Sequence, residues 1–539
     1  MLIDDQTLHL PIGKVNGCRS KRFNWFKSRD VQTAAKDRII QKNKRRHFVV
    51  SEALWTPGRA LYEYARQRPD ETVLLCAGDD GHTRSLTRRE LDEWSSRLAH
   101  RLQASGAARG QLVAIVLPTC IEHMVAVFAA YKAGATPFPV SNGMPPTERD
   151  AMLALAAPVC IISDQADLQG ITRKDMAALD DFPASLPAAE VPNPVKAVGS
   201  GGSTGKPKLI VTPGDFAYPE GQHPMAALLR IGSTDLKYSP GPLYHNGPLL
   251  FSIITLYIGG RVLLNERFRA PRALELIEQY RPTVLNLVPT MMQRMLREAD
   301  MPAHDLSSVN LVWHLAAPCP EWAKLGFIEQ FGGERILELW AATESTGLTV
   351  IDGNDWLAHR GSVGQGVMTE FRIVDEAGRE LPPGEVGEIF SRFLGMGPQY
   401  EYRGADPLRQ LPGGFTSVGD MGYLDADGYL YLSDRRTDMI ISGGANIFPA
   451  EIEAVISEHP GVRDVAVIGL KDSDLGRRVH AVVEALDTAN PPDMEALAAR
   501  CAAALARYKV PRGFELVEAL PRNEAGKIRR STLRDERGG

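Results

Sequence analysis

Residues 199–212 read Gly199-Ser200-Gly201-Gly202-Ser203-Thr204-Gly205-Lys206-Pro207-Lys208-Leu209-Ile210-Val211-Thr212. Small glycines let the backbone approach an anion closely, Ser203 and Thr204 offer hydroxyl donors, and Lys206 and Lys208 bring positive charge. Together they read as a phosphate cradle. A Walker A loop needs Gly, four residues and then Gly-Lys-Ser/Thr, and Ser200 and Pro207 break both ends of that pattern. The letters G-x-S-x-G occur at Gly201–Gly205, but a hydrolase nucleophile elbow runs directly into a helix. Here Pro207 and a β-rich run follow, so the spacing predicts a turn between two strands.

Working outward, the flanking text is regular α/β. Leu91, Trp94, Leu98 and Leu102 fall at helical spacing and Gly106 ends the run. Leu112–Leu117 and Val159–Ile162 are short apolar runs of the buried-strand type, with a helix expected from Ile121 to Ala133. An Ala/Pro-rich stretch, Pro183–Pro194, precedes the glycine turn. Beyond it, Val284–Val288, Val309–Leu315 and Ile336–Leu339 predict further strands between helices. This alternation predicts a largely parallel sheet with helices on its faces. From Gly361 to Leu432 short strands alternate with Pro-Gly, Gly-Gly and Asp-Gly turns, which predicts a small all-β part. After Asp434 a separate α+β unit of about a hundred residues is expected, with helices near Ile452–Ile456 and Met494–Ala506 and strands at Val465–Ile468, His480–Glu484 and Phe514–Val517.

The totals agree with several domains. A chain of 539 residues exceeds what one core fills, which is roughly 250–300 residues. The net charge of −5 implies no broad basic field for nucleic acid. The six cysteines are scattered, without C-x-x-C pairs or zinc spacing, which fits reduced thiols in a cytoplasmic protein. No apolar stretch approaches the ~20 residues of a membrane span. Met1–Val50 carries twelve Lys/Arg against four Asp/Glu and no apolar h-region, and reads as a solvated extension or a start placed too far upstream.

Further segments resemble, in order, those of the adenylate-forming superfamily, acyl-CoA synthetase branch. The Ser/Thr/Gly turn ending in Pro-Lys is the first. Pro242–Gly247, with His245, is similar to its aromatic-His segment beside the acyl pocket. Trp340-Ala341-Ala342-Thr343-Glu344 resembles its Tyr-Gly-x-Thr-Glu segment, and Ser417–Asp420 its Thr-Gly-Asp segment. Asp434–Asp438 with Ser442-Gly443-Gly444 resembles its hinge and following loop, and Pro521–Lys527 its terminal lysine segment.

The resemblance implies an α/β fold with a large N-terminal domain of two αβα sheet layers plus a β-barrel-like part, and a small mobile α+β C-terminal domain. The expected boundaries are an extension at 1–50, the AMP-binding domain at 51–433 and the small domain at 434–539, with the hinge near 434–438. It implies ATP (leaving as AMP), Mg²⁺ and coenzyme A, or a carrier-protein thiol, acting with a carboxylic acid in a monomer or homodimer that binds neither nucleic acid nor membrane.

For the nucleotide it implies Ser203, Thr204, Lys208, Ala316, Ala317, Trp340 stacking on adenine, Asp420 on the ribose, Arg435, and Ser442, Gly443 and Gly444. Glu344 would bind Mg²⁺, since that ion keeps water and phosphate oxygens and needs few protein ligands, with Thr343 beside it. Lys527 would stabilise the α-phosphate and carboxylate as charge moves between them. His245 would gate the thiol tunnel. Amino-acid-activating relatives have Asp at this position, so His245 argues against an α-amino acid. Leu249, Leu250, Ile254, Trp313, His314 and Thr349 are the expected pocket residues, mostly apolar.

Ser417–Tyr423, Asp434–Asn446 and Gly476–His480 resemble bile-acid–CoA ligases and imply a bulky alicyclic, steroid- or terpenoid-like acid. Leu209, Ala341 and Thr437 depart from the family pattern. Leu209 and Ala341, bulkier than the usual Gly, are expected to crowd the ATP loops and to weaken adenylation relative to thioester formation.

Overall fold

The computed structural model describes residues 54–539 except 202–206, 299, 396–399, 436–437, 444 and 523–527. Ser203, Thr204, Lys206, Thr437, Gly444, Lys527 and the basic extension therefore lie outside the described residues. Residues 53–539 form one compact unit.

The apolar runs become strands because their side chains find cover on both faces. Leu112–Val116 is buried at every residue and pairs in parallel with Thr136–Pro139 and Cys160–Ser163. The helix between, Ile121–Lys132, is buried all round, as a helix without a polar face must be. The glycine turn is indeed framed by strands: β1 (Lys196–Gly201) and β2 (Pro207–Thr212) pair antiparallel, with Gly201 opposite Pro207. A strand where an elbow would require a helix removes the hydrolase reading.

Among the described residues the main sheet has fifteen strands. Thr72–Ala77, Arg261–Asn265, β3 (Leu236–Ser239), β4 (Val284–Leu287), β5 (Leu311–His314) and β6 (Ile336–Ala341) form its parallel block. Helix α1 (Asn246–Tyr257) covers one face, packing Phe251 edge-on against Trp313 at 4.6 Å between ring centroids. Helix α2 (Glu321–Phe331) lies on the other, where Phe327 joins Leu285, Val312 and Ile336. β7 (Leu348–Asp352) reverses direction beside β6.

The all-β stretch is not cut off from this sheet. Ser362–Gly366 pairs with β7 on one side and with β9 (Leu430–Arg435) on the other, and β9 pairs with β8 (Asp420–Leu424). The turn-rich segment thus prolongs the parallel sheet, although it keeps its own small core around Val363, Ile373, Ile389 and Leu430. One short strand leaves it: Glu401–Arg403 pairs with β2, placing Tyr402 opposite Ile210.

The C-terminal part has its own sheet of Val462–Asp472, Gly476–Ala485 and Gly513–Val517, and a core built on Ile452, Val467, Ala481 and Leu497. Helix α3 (Pro449–Ser457) packs on that sheet. Two side chains tie the preceding segment to it. Asp434 accepts the Ala450 amide at 3.0 Å, and Arg530 reaches both Asp438 at 3.6 Å and Glu453 at 2.7 Å. From the large part, the Arg297 guanidinium donates to the Arg463 carbonyl at 3.0 Å.

Candidate active site

The strand alternation that buries Leu209 points its neighbour Lys208 the other way. Leu209 is fully buried in a cluster with Leu112, Phe138 and Met152. Its bulk is taken up by this core, so the crowding expected of it at the ATP loop does not arise there. Ala341 closes the exposed end of β6, opposite Leu348.

Lys208 meets an acid brought from β6 and a phenol brought by the strand that pairs with β2. Its Nζ donates to Tyr402 Oη at 2.9 Å and to Glu344 Oε1 at 3.3 Å. Tyr402 Oη donates to the same Glu344 oxygen at 2.5 Å. Glu344 is 8 % exposed, so its charge is compensated by these two donors rather than by bulk water. Thr343 precedes it in the turn after β6.

On the β8 side, Trp340 Nε1 donates to Asp420 Oδ2 at 3.1 Å, and the indole leans on Phe371. Arg435 stands opposite Asp420 in the β8–β9 ladder. The aromatic and the acid expected for adenine and ribose thus touch each other. Ala316 and Ala317 are exposed just beyond the end of β5, and Ala316 holds φ = 80°, a left-handed backbone unusual for a residue with a Cβ.

His245 caps the N-terminus of α1, its ring 4.5 Å from that of Tyr244. Next to it Asn246 Oδ1 accepts from Lys196 Nζ at 3.0 Å. Burial pulls Lys196 down to about 8, opposed by the Glu344 charge. Lys196 and Tyr402 are two site residues that sequence reasoning missed. Tyr402 carries no local signal. Lys196 could have been found as a cation inside a strand running straight into the glycine turn.

The expected pocket residues separate by face. Trp313 packs with Ile254 and Leu250 beneath α1. Leu249 points to the other side of that helix, into the cluster with Met124 and Phe128. His314, the next residue after Trp313 on β5, lies on the opposite face of the sheet near Lys324. Burial, then the Lys324 charge, holds it well below the usual histidine range. Thr349 stands opposite Trp340 and donates its hydroxyl to the Val363 carbonyl at 2.5 Å. Ser442 ends the first strand of a hairpin, Ile440–Ser442 with Ala445–Ile447, and the Gly443 amide that follows donates to Leu475 O at 2.9 Å.

Among the described residues no group of three or more His, Cys, Asp or Glu could hold a metal ion by itself. A lone buried carboxylate fits Mg²⁺ that arrives with ATP, because that ion takes one or two carboxylates plus phosphate oxygens. No helix among the described residues is long and apolar enough to cross a membrane.

A lysine-held acid beside a glycine turn, with an aromatic–carboxylate pair where the end of β6 meets the start of β8, suits an enzyme that works on a nucleotide. Comparison with known proteins makes the class definite. Residues 61–400 match the AMP-binding enzyme family and residues 451–527 match the AMP-binding enzyme C-terminal domain. A feruloyl-CoA synthase of Amycolatopsis is 31 % identical over 87 % of this chain and 96 % of its own length. The long-chain-fatty-acid–CoA ligase FadD13 of Mycobacterium tuberculosis is 30 % identical over 84 % of this chain and 93 % of its own. Among solved structures, o-succinylbenzoate CoA synthetase (MenE) from Bacillus subtilis, in complex with its acyl-adenylate intermediate, superposes with a TM-score of 0.75 at 26 % identity. That match covers 90 % of this chain and 99 % of that one. The chain belongs to the AMP-binding enzymes, and it is an adenylate-forming acid–thiol ligase.

Proposed function

We propose that this protein joins a bulky hydrophobic carboxylic acid to the thiol of coenzyme A in two steps at one site. The observation that carries this reading is the Lys208–Tyr402–Glu344 knot at the glycine turn. In the first step the acid's carboxylate attacks the α-phosphate of ATP, and pyrophosphate leaves. The difficulty is bringing two anions together, and preorganised cations and donors reduce it most. Ser203, Thr204 and Lys208 hold the phosphates, while Trp340 and Asp420 hold the nucleoside. Glu344 would hold the Mg²⁺ that accompanies ATP, and that ion would supply charge neutralisation of the phosphate oxygens. Lys527, delivered from the C-terminal domain, bridges the carboxylate and the α-phosphate. In the second step the C-terminal domain, turning about residues 434–438, replaces Lys527 by the Ser442–Gly444 turn. The thiol enters past His245, attacks the acyl carbonyl, and AMP leaves.

The acid's body lies against Leu250, Ile254 and Trp313, whose apolar wall beneath α1 supports a hydrophobic substrate. The names of the relatives, a feruloyl-CoA synthase and a long-chain-fatty-acid–CoA ligase, agree with an acid of large apolar area. A 28 % identical protein of Streptomyces coeruleorubidus is named as a fatty acid–[acyl-carrier-protein] ligase, so a carrier-protein thiol is the acceptor to test against coenzyme A.

The test is pyrophosphate release across a panel of alicyclic, steroid and fatty acids with Mg·ATP, followed by thioester formation with coenzyme A or a phosphopantetheinylated carrier. Adenylate formation that is lost in Lys527→Ala supports the assignment. Adenylate formation unchanged in that variant removes Lys527 from the chemistry. Absence of pyrophosphate release with every acid removes the reading.

A further inference from the structure

The layer beneath α1 is not purely apolar. Lys237 on β3 is fully buried and donates to Ser252 Oγ on α1 at 3.1 Å, with its Nζ 5.9 Å from the centre of the Trp313 ring. Residues two apart on a strand share a face, so Ser239 accompanies Lys237. Tyr238 pairs with Leu285, which sets Ser239 level with Asn286, and Asn286 pairs with Trp313. Ser239, Asn286 and Trp313 thus form one row across three adjacent parallel strands. All three are at least nine-tenths buried, and Ser239 Oγ, Asn286 Oδ1 and Trp313 Nε1 have no hydrogen-bond partner.

The position of the row is as informative as its composition. Ser239 is the last residue of β3, and Asn286 and Trp313 are the last but one of β4 and β5. Open parallel sheets bind ligands outside the carboxyl ends of their strands. The helix above the row opens at His245 and Asn246, beside which the ligase reading places the acid. Buried polar atoms are normally satisfied by protein, water or ligand, and three unsatisfied ones in a single row at that edge point to a ligand.

We propose that this row is the far wall of the acid pocket and takes a hydroxyl group carried on the acid's ring system, remote from the carboxylate that is activated. This rests on the ligase reading above and narrows it. The chemistry of the row favours a hydroxyl over a second carboxylate. Trp313 Nε1 can only donate and Asn286 Oδ1 can only accept, whereas a hydroxyl does both. Burial also holds Lys237 well below the usual lysine range, which weakens its call for an anion.

The experiment pairs acids with and without a ring hydroxyl in three sizes, cyclohexane, decalin and steroid carboxylic acids, and measures kcat/KM from pyrophosphate release. In one size the hydroxylated acid is expected to be preferred at least about tenfold, as buried polar groups discriminate strongly against a missing partner. In Asn286→Leu and, independently, in Lys237→Met, that ratio is expected to fall to about threefold or less. Turnover of the parent acids with no hydroxyl preference at any size overturns the inference and leaves the ligase reading standing. So does a preference that survives both variants, or a preference for keto or dicarboxylic analogues over the hydroxylated acid. Absence of turnover with all acids overturns both.

Discussion

Two groups of lysines in the large domain are treated in opposite ways. Away from the site, Lys132 is bound by the Asp92 carboxylate, by the Asp92 carbonyl at 2.7 Å and by Ser96 Oγ at 2.8 Å, and Lys324 is paired with Glu338. Under and beside α1, Lys237 donates to a hydroxyl and Lys196 to an amide oxygen. A buried charge ordinarily requires a countercharge. Where the protein supplies one, the lysine is part of the framework. Where the hydrogen-bonded partner is a neutral acceptor, the lysine retains donor capacity, and both such lysines border the proposed acid pocket.

The sharpest way to break this comparison is to remove one lysine of each kind. Lys132→Met strands the Asp92 carboxylate and is expected to lower unfolding stability by about 3–5 kcal/mol in urea titrations. Lys237→Met strands nothing charged and is expected to stay within about 1 kcal/mol of the parent, or above it. Equal losses in the two variants would erase the distinction.

The next effect belongs to the knot. Glu344→Ala is expected to lower adenylate formation about 10²–10³-fold, measured as ATP–pyrophosphate exchange, with little change in melting temperature. The reverse pattern would make Glu344 a framework acid like Glu338. Lys196 gives a smaller, pH-dependent effect. With its pKa lowered to about 8, it is charged below that value and neutral above it. The KM for the acid is expected to rise as pH passes 8, by about tenfold for the loss of one local charge, and Lys196→Met should abolish this dependence. A dependence that persists in the variant assigns the titration elsewhere.

The smallest effect asks whether backbone strain, like donor capacity, gathers on the ligand side. Ala316, just past the carboxyl end of β5, holds φ = 80°, and Ala316→Gly is expected to add about 1 kcal/mol of stability. No gain would show that the turn carries no strain.

Much of the fold was legible because buried strands and helices write their period into the chain. Leu112–Leu117 and Val284–Val288 became strands within a residue of their expected ends. The Pro207 argument for strand rather than helix correctly predicted the local frame of the glycine turn. Lys208, Trp340, Glu344 and Asp420 were legible as residue types in a spaced pattern. Their partners were not. Tyr402 reaches Lys208 across 194 positions, because Glu401–Arg403 pairs with β2, and edge-strand pairing leaves no mark on local sequence. Lys237 and Asn286 look like ordinary strand polar residues until the register sets them beneath a helix. One distinction was available earlier: Trp313 and His314 are consecutive in a strand, so alternation alone separates them onto opposite faces.

Tyr402 also bears on how the enzyme rests between turnovers. Its hydroxyl sits between an ammonium and a carboxylate, receiving from Lys208 and giving to Glu344. Glu344, 8 % exposed, is thus held by two donors at once. On the function proposed above, Glu344 would trade one partner for another when Mg·ATP enters, and Lys208 would already stand beside the incoming phosphates. In that case the phenol would work as a placeholder, and the empty and loaded states would differ by an exchange of neighbours.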